Sequence, residues 1–221
     1  MLLNIENNLM SNRLYSFLLL ILFVSCSKDT ITINAQSSVV GSTSLVPTTN
    51  KGYLIQHTYF TLSYSETNRQ AEWVAYNLTP FFINGPQERT DDFRIDPKVK
   101  NNPVGSGDYS GSGYDRGHLC PAGDMKLNLT SMSETFYMSN MSPQDPSFNR
   151  GIWETLESRV RTWANEKNGV YVVTGPILKN ICGSIKNGTI SVPCSYYKIV
   201  FKDNGSDKIA IALILNNQGS S

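Results

Sequence analysis

Tyr196-Tyr197-Lys198-Ile199-Val200-Phe201 and Lys208-Ile209-Ala210-Ile211-Ala212-Leu213-Ile214-Leu215 are separated by a short polar stretch holding Asp203-Asn204-Gly205. Both runs are rich in β-branched and aromatic residues, and Asn-Gly between such runs is the signal of a tight hairpin turn. A hairpin pairs its strands antiparallel, which argues against a parallel doubly wound sheet. Working outward, Gly169-Val170-Tyr171-Val172-Val173-Thr174-Gly175-Pro176 reads as a buried strand. Glu72 to Leu78 reads as another, and Tyr53 to Tyr64 as one long strand joined to it by a polar turn at Ser65-Glu66-Thr67-Asn68. Between these runs, Ile152, Trp153, Leu156, Val160 and Trp163 recur at helical spacing and predict an amphipathic helix over Asn149 to Asn165. No internal repeat is visible. The expected fold class is α+β, a central antiparallel sheet with flanking helices.

The chain has 221 residues, 40% of them hydrophobic and 17% charged, enough for one domain with a sizeable core. Its formal net charge is +1, so no global basic field steers it to a polyanion, and any such site must be a local cluster. His57 and His118 are its two histidines, and Cys26, Cys120, Cys182 and Cys194 its four cysteines, too few together for the common zinc sites. Binding chemistry must therefore come mainly from Asp, Glu, Asn, Arg and a single His.

At the N-terminus, Arg13 precedes the apolar run Leu14 to Val24, too short to span a bilayer as a helix. Basic residue, short apolar core and small residue before the cut describe an export signal over residues 1–25. Phe23-Val24-Ser25-Cys26 resembles a bacterial lipoprotein box, which makes Cys26 the expected lipid attachment point and the membrane a partner through that lipid. The expected location is the bacterial envelope as an anchored lipoprotein, with a plain cleaved signal and a periplasmic or secreted protein as the alternative. Residues 26–50, rich in Ser, Thr, Asn and Val, read as a flexible tether, leaving 51–221 as the domain. In an oxidising compartment, Cys182 and Cys194 flank a turn-like stretch and are expected to form a local disulfide, with Cys120 a buried free thiol.

The stretch that carries chemistry is Asp108-Tyr109-Ser110-Gly111-Ser112-Gly113-Tyr114-Asp115-Arg116-Gly117-His118-Leu119. A glycine-rich loop leads to an acid, a cation and a titratable base. That trio suits phosphodiester cleavage, since a guanidinium can hold a phosphate and an imidazole can take a proton from water. Alone it also fits a structural Asp–Arg pair beside a core histidine. Ser139-Asn140 with Pro143-Gln144 follows, then Asn149-Arg150-Gly151-Ile152-Trp153, Leu156-Glu157 and Arg161. Helical geometry puts Asn149, Glu157 and Arg161 in a loose stripe. The bland readings are an i,i+4 salt bridge for Glu157 and Arg161 and an N-cap for Asn149. His57 and the tryptophans Trp73, Trp153 and Trp163 read as structural, and Asp91-Asp92 as a solvated loop.

Taken together and in order, these segments resemble the DNA/RNA non-specific endonucleases, the endonuclease G-like members of the ββα-metal nuclease superfamily. The resemblance runs from about Gly52 to Leu215. It implies a ββα-metal finger and a nuclease that hydrolyses DNA and RNA through phosphate contacts with little sequence preference. His118 would be the general base, and Asn149 the one direct protein ligand of a divalent cation, Mg²⁺ with Mn²⁺ or another divalent ion as alternatives. Glu157 would hold water around the cation, Arg116 and Arg161 would contact phosphate, Asp115 would support the region between histidine and metal, and Asn140 would orient the histidine. Arg89 matches the family's additional arginine, with Arg94 as its rival. The chain departs from the family pattern at Cys120, where relatives often have a small residue, and beyond Leu215, where the family continues with another strand or helix. A C-terminal truncation and an exposed sheet edge are therefore expected. Two other functions compete: a catalytically silent nucleic-acid-binding lipoprotein on this fold, and a phosphodiesterase on a smaller substrate. Oligomeric state is not legible in the sequence.

Overall fold

The computed structural model describes residues 46–49, 51–203, 205 and 208–219. The signal, Cys26 and nearly all of the tether lie outside the described residues. In chain order the strands are β1 (Tyr53–Gln56), β2 (Phe60–Ser65), β3 (Gln70–Leu78), β4 (Asp115–His118), β5 (Met141–Gln144), β6 (Val170–Pro176), β7 (Ile181–Ile185), β8 (Ile190–Pro193), β9 (Ser195–Asp203) and β10 (Lys208–Asn216). The helices are α1 (Pro80–Ile83), α2 (Leu129–Glu134), α3 (Pro146–Phe148) and α4 (Glu154–Glu166). The main sheet runs β1-β2-β3-β6-β9-β10 with every neighbouring pair antiparallel. Two smaller antiparallel pairs, β4-β5 and β7-β8, complete the α+β fold.

The hairpin read from Tyr196 to Leu215 is β9-β10, with Tyr196 opposite Leu215 and Phe201 opposite Ala210. Strand β10 forms one edge of the sheet, and Ile209 and Ile214 are exposed there. The run Tyr53 to Tyr64 is not one strand but the β1-β2 hairpin, which reverses where the His57 amide donates to the Phe60 carbonyl at 2.8 Å. Aromatic and β-branched residues run on through that turn, and a shift of phase from Tyr53 and Ile55 to Phe60, Leu62 and Tyr64 is its mark in the sequence. His57 holds the reversal: Nε2 lies 3.1 Å from Asp96 Oδ2 and the ring stacks on Tyr137, which bears out its structural reading.

The expected helix starts earlier and differently. Asp145, not Asn149, is the cap, its Oδ1 accepting from the Ser147 and Phe148 amides, and Pro146 takes the first turn, where it lacks no useful N–H. A wide π turn over Asn149–Trp153 follows, kinked at Gly151 (φ −113°, ψ −109°), before α4 begins. Leu156, Val160 and Ala164 form the buried stripe of α4 and join Phe148, Trp153, Val170, Val172, Tyr196 and Val200 in the main core. A second cluster, with Val104, Tyr109, Met138, Met141, Ile185, Ile190 and Val192, packs between β5, the β7-β8 hairpin and the loop before β4. Cys182 and Cys194 are disulfide-bonded, and Cys120 is a buried free thiol.

Candidate active site

Strand β4 sets the site by its two-residue period: Arg116 and His118 project to one side, Asp115 and Gly117 to the other. Opposite it, β5 pairs Asp115 with Gln144 and His118 with Met141, and the chain passes directly into α3 and the π turn. Gly117 permits this pairing, because a Cβ there would lie 2.2 Å from the Gln144 side chain. The two strands and the helical segment thus form a ββα unit with His118 at the end of its first strand and Asn149 at the head of its helix.

A cleft of about 310 Å³ opens between them, and Arg89, Arg116, His118, Asn149, Glu157 and Arg161 all line it. Six of the eight residues singled out from sequence therefore meet in one place. Asp115 stands behind the wall: its Oδ2 accepts from Asn149 Nδ2 at 2.9 Å, and its carboxylate takes both Arg150 Nε at 2.9 Å and Nη2 at 2.6 Å. Because a carboxylate only accepts, that bond fixes which way the Asn149 amide faces and leaves its Oδ1 uncommitted. Asn140 makes no hydrogen bond to the imidazole. Fully buried, it clamps the backbone two residues on, receiving the Cys120 amide at 2.9 Å and donating to the Cys120 carbonyl at 2.9 Å and to Thr135 O at 2.8 Å. Arg89, rather than Arg94, reaches the cleft; Arg94 instead pairs with Asp92 and stacks on Tyr137.

The His118 ring is held edge-on by Phe93 and Phe136, with Nε2 buried and without a hydrogen-bond partner. Burial, then the Arg89 and Arg116 guanidiniums, push its pKa down to about 3, so the ring is neutral at physiological pH. Glu157 moves the other way, pushed up to about 7 by burial, with Lys198 opposing the rise and Asp124 adding to it. Arg161 does not pair with Glu157 as the i,i+4 spacing suggested. It bonds Asp124 Oδ1 at 3.0 Å and Ser158 Oγ at 2.8 Å, which aims the guanidinium at the cleft floor. Asp124 itself is buried, raised by that burial, and also receives Tyr76 Oη at 2.8 Å.

Three contributors were missed from sequence. Arg150 lines the cleft and locks Asp115. Asp124 anchors Arg161. Lys198, 1% exposed, lies in the core with Nζ 4.5 Å from the Trp153 ring centroid. A lysine in the middle of an apolar strand was the one available signal for it.

The family model described as DNA/RNA non-specific endonuclease matches residues 42–220. The chain belongs to the DNA/RNA non-specific endonuclease family. Nuclease C1 of Cunninghamella echinulata var. echinulata is 36% identical over 187 residues, covering 78% of this chain and 74% of that protein. Human mitochondrial endonuclease G is 31% identical over 164 residues, covering 69% of this chain. The chain spans 55% of that relative and 55% of the Nostoc nuclease, about half their length. A solved structure of the EndoG/EndoGI complex, which concerns EndoG inhibition, superposes with a TM-score of 0.69 at 32% identity, covering 77% of this chain and 76% of that one. The relatives are named nucleases and endonucleases, so this family membership places the chain among hydrolases that act on nucleic acid.

Proposed function

We propose that this endonuclease-family chain hydrolyses phosphodiester bonds of DNA and RNA with little sequence preference, using His118 as general base and a divalent cation held at Asn149. The observation that carries the reading is the convergence in one cleft of a neutral imidazole, four arginines and an amide oxygen free to bind a cation.

The residues fit a hard cation. Asn149 Oδ1 and the Glu157 carboxylate are oxygen donors, and no cluster of three or more His, Cys, Asp or Glu stands among the described residues. Such a sparse set suits Mg²⁺, which binds few protein groups and keeps water and substrate oxygens around it. When bound, the cation supplies charge neutralisation at the phosphate and the departing oxygen. The rest is done by this chain. Arg89, Arg116 and Arg161 receive the phosphate and stabilise the charge that builds on it as attack proceeds. With Nε2 enclosed, Nδ1 is the ring atom offered to water. Burial depresses its basicity most, and the two arginines that add to this are the ones a phosphate neutralises, so bound phosphate relieves the arginines' share of the depression. Contacts to phosphate rather than base edges carry no sequence information.

The leader reading stands beside this one: an exported protein tethered by lipid on Cys26 to a bacterial envelope, or otherwise periplasmic or secreted. The Cys182–Cys194 disulfide, which suits an oxidising compartment, supports export.

Circular single-stranded DNA and RNA, incubated with the protein and Mg²⁺ or EDTA, test the function. Cleavage of both that needs the cation is expected, with Asn149→Ala requiring a higher Mg²⁺ concentration for the same rate. Cleavage in EDTA at the full rate contradicts the cation's role, and failure to cut either polymer contradicts the nuclease reading.

A further inference from the structure

Beside the cleft lies a second hollow of about 150 Å³, lined by Ser106, Tyr109, Ser110, Tyr114, Asp115 and Arg116. Arg116 lines both, so the two meet at its side chain. We infer that this hollow is a nucleobase subsite, which receives the base of the nucleoside one step along the chain from the phosphate being cut. The inference rests on the proposed nuclease function and names how that site grips its substrate.

The chemistry of the walls favours an uncharged ring over a second phosphate. Apart from Arg116 there is no cation; the hollow offers two serine hydroxyls, which donate and accept, and two tyrosines. Its volume holds roughly five waters, or one heterocycle in their place. A phosphate bound by Arg116 in the cleft has a neighbouring nucleoside on each side, and this hollow, lined by the same arginine, stands open to one of them.

The wall is held by hydrogen bonds and ion pairs. Asp108 accepts from the Gly105 amide at 3.1 Å and pairs with Lys186 at 3.1 Å and Arg69 at 3.5 Å, which pins the loop that carries Ser106. Gly105 and Gly107 flank that serine. A Cβ at either would meet nothing within 4 Å, and neither takes a left-handed dihedral, so the fold itself gives no reason for glycine there. Bare backbone at the rim leaves room for a nucleoside to approach.

The test uses a short oligonucleotide with one natural phosphodiester among methylphosphonates, and versions with an abasic sugar on each side of it in turn. Removing the base on one side is expected to raise KM about tenfold with little change in kcat, as for a lost stacking and hydroxyl contact. In Ser110→Phe, a substitution at an exposed wall position, the intact and abasic substrates become alike while the thermal unfolding curve stays that of the wild type. Equal KM for all three substrates with the wild-type protein overturns the subsite, as does a base effect that survives in Ser110→Phe. If the wild-type protein cuts none of them, the nuclease reading itself falls, and the subsite with it.

Discussion

At the scale of single residues, the site depends on what each polar group is prevented from doing. Asp115 occupies the amide nitrogen of Asn149, so the oxygen is the end left for a cation. Phe93 and Phe136 enclose His118, and Arg89 and Arg116 add positive charge beside it, so the ring resists protonation. Folding therefore favours neutral His118. The stability this lends is present above the ordinary value of 6.5 and is lost as pH falls from there toward about 3. With two histidines in the chain, imidazole carbon–proton resonances can be followed one residue at a time. The His118 signal of the substrate-free protein is expected to hold still through pH 5 and to move only near pH 3; a midpoint near 6.5 contradicts the enclosure.

At the scale of elements, the strands of the main sheet were legible because each carries a dense β-branched and aromatic run, and the sequence between β9 and β10 also holds an Asn-Gly turn signal. The β1-β2 reversal was not, because aromatic and β-branched residues run on through it and its one mark is a change of phase, from Tyr53 and Ile55 to Phe60, Leu62 and Tyr64. The helix start failed for a similar reason. Asp145 caps an α turn with no apolar period of its own, and the π turn then disturbs the count of residues per turn. That wider turn, not the straight-helix stripe, brings Asn149 to the same cleft as Glu157 and Arg161. Of the site, the residues that meet in the cleft could be singled out in sequence and their partners could not: the i,i+4 spacing offered Glu157–Arg161 as the bland alternative, whereas Arg161 pairs with Asp124, which is distant in sequence. The β7-β8 element packs on the second core and none of its residues lines the cleft, which lets stability be tested apart from activity. Closing a loop with a sequence separation of 12, its disulfide is worth at most about 3 kcal/mol in the chain-entropy account. Cys182→Ser with Cys194→Ser should lower Tm on the order of 5–10 °C in a calorimetric scan. The same variant should keep its cleavage rate at 25 °C; a lost rate would mean that the hairpin supports the cleft.

At the scale of the whole molecule, net charge and local charge point in different directions. The chain is nearly neutral, yet Arg89, Arg116, Arg150 and Arg161 converge on one cleft. Three of them already face carboxylates at Asp91, Asp115 and Asp124. Few condensed counterions should therefore be released when nucleic acid binds. Plotted as log affinity against log salt for a catalytically dead variant, the slope should be no steeper than about −4. A much steeper slope would mean that a wider surface than the cleft takes part.

The central claim is that one cleft, with His118 as its base, cuts the phosphodiester backbone. Nicking of supercoiled plasmid by the wild-type protein and by His118→Ala, side by side at saturating Mg²⁺, tests it most directly. The account predicts nicking that EDTA abolishes and that falls about 10²–10⁴-fold in the folded variant. Equal rates for the two proteins would contradict it.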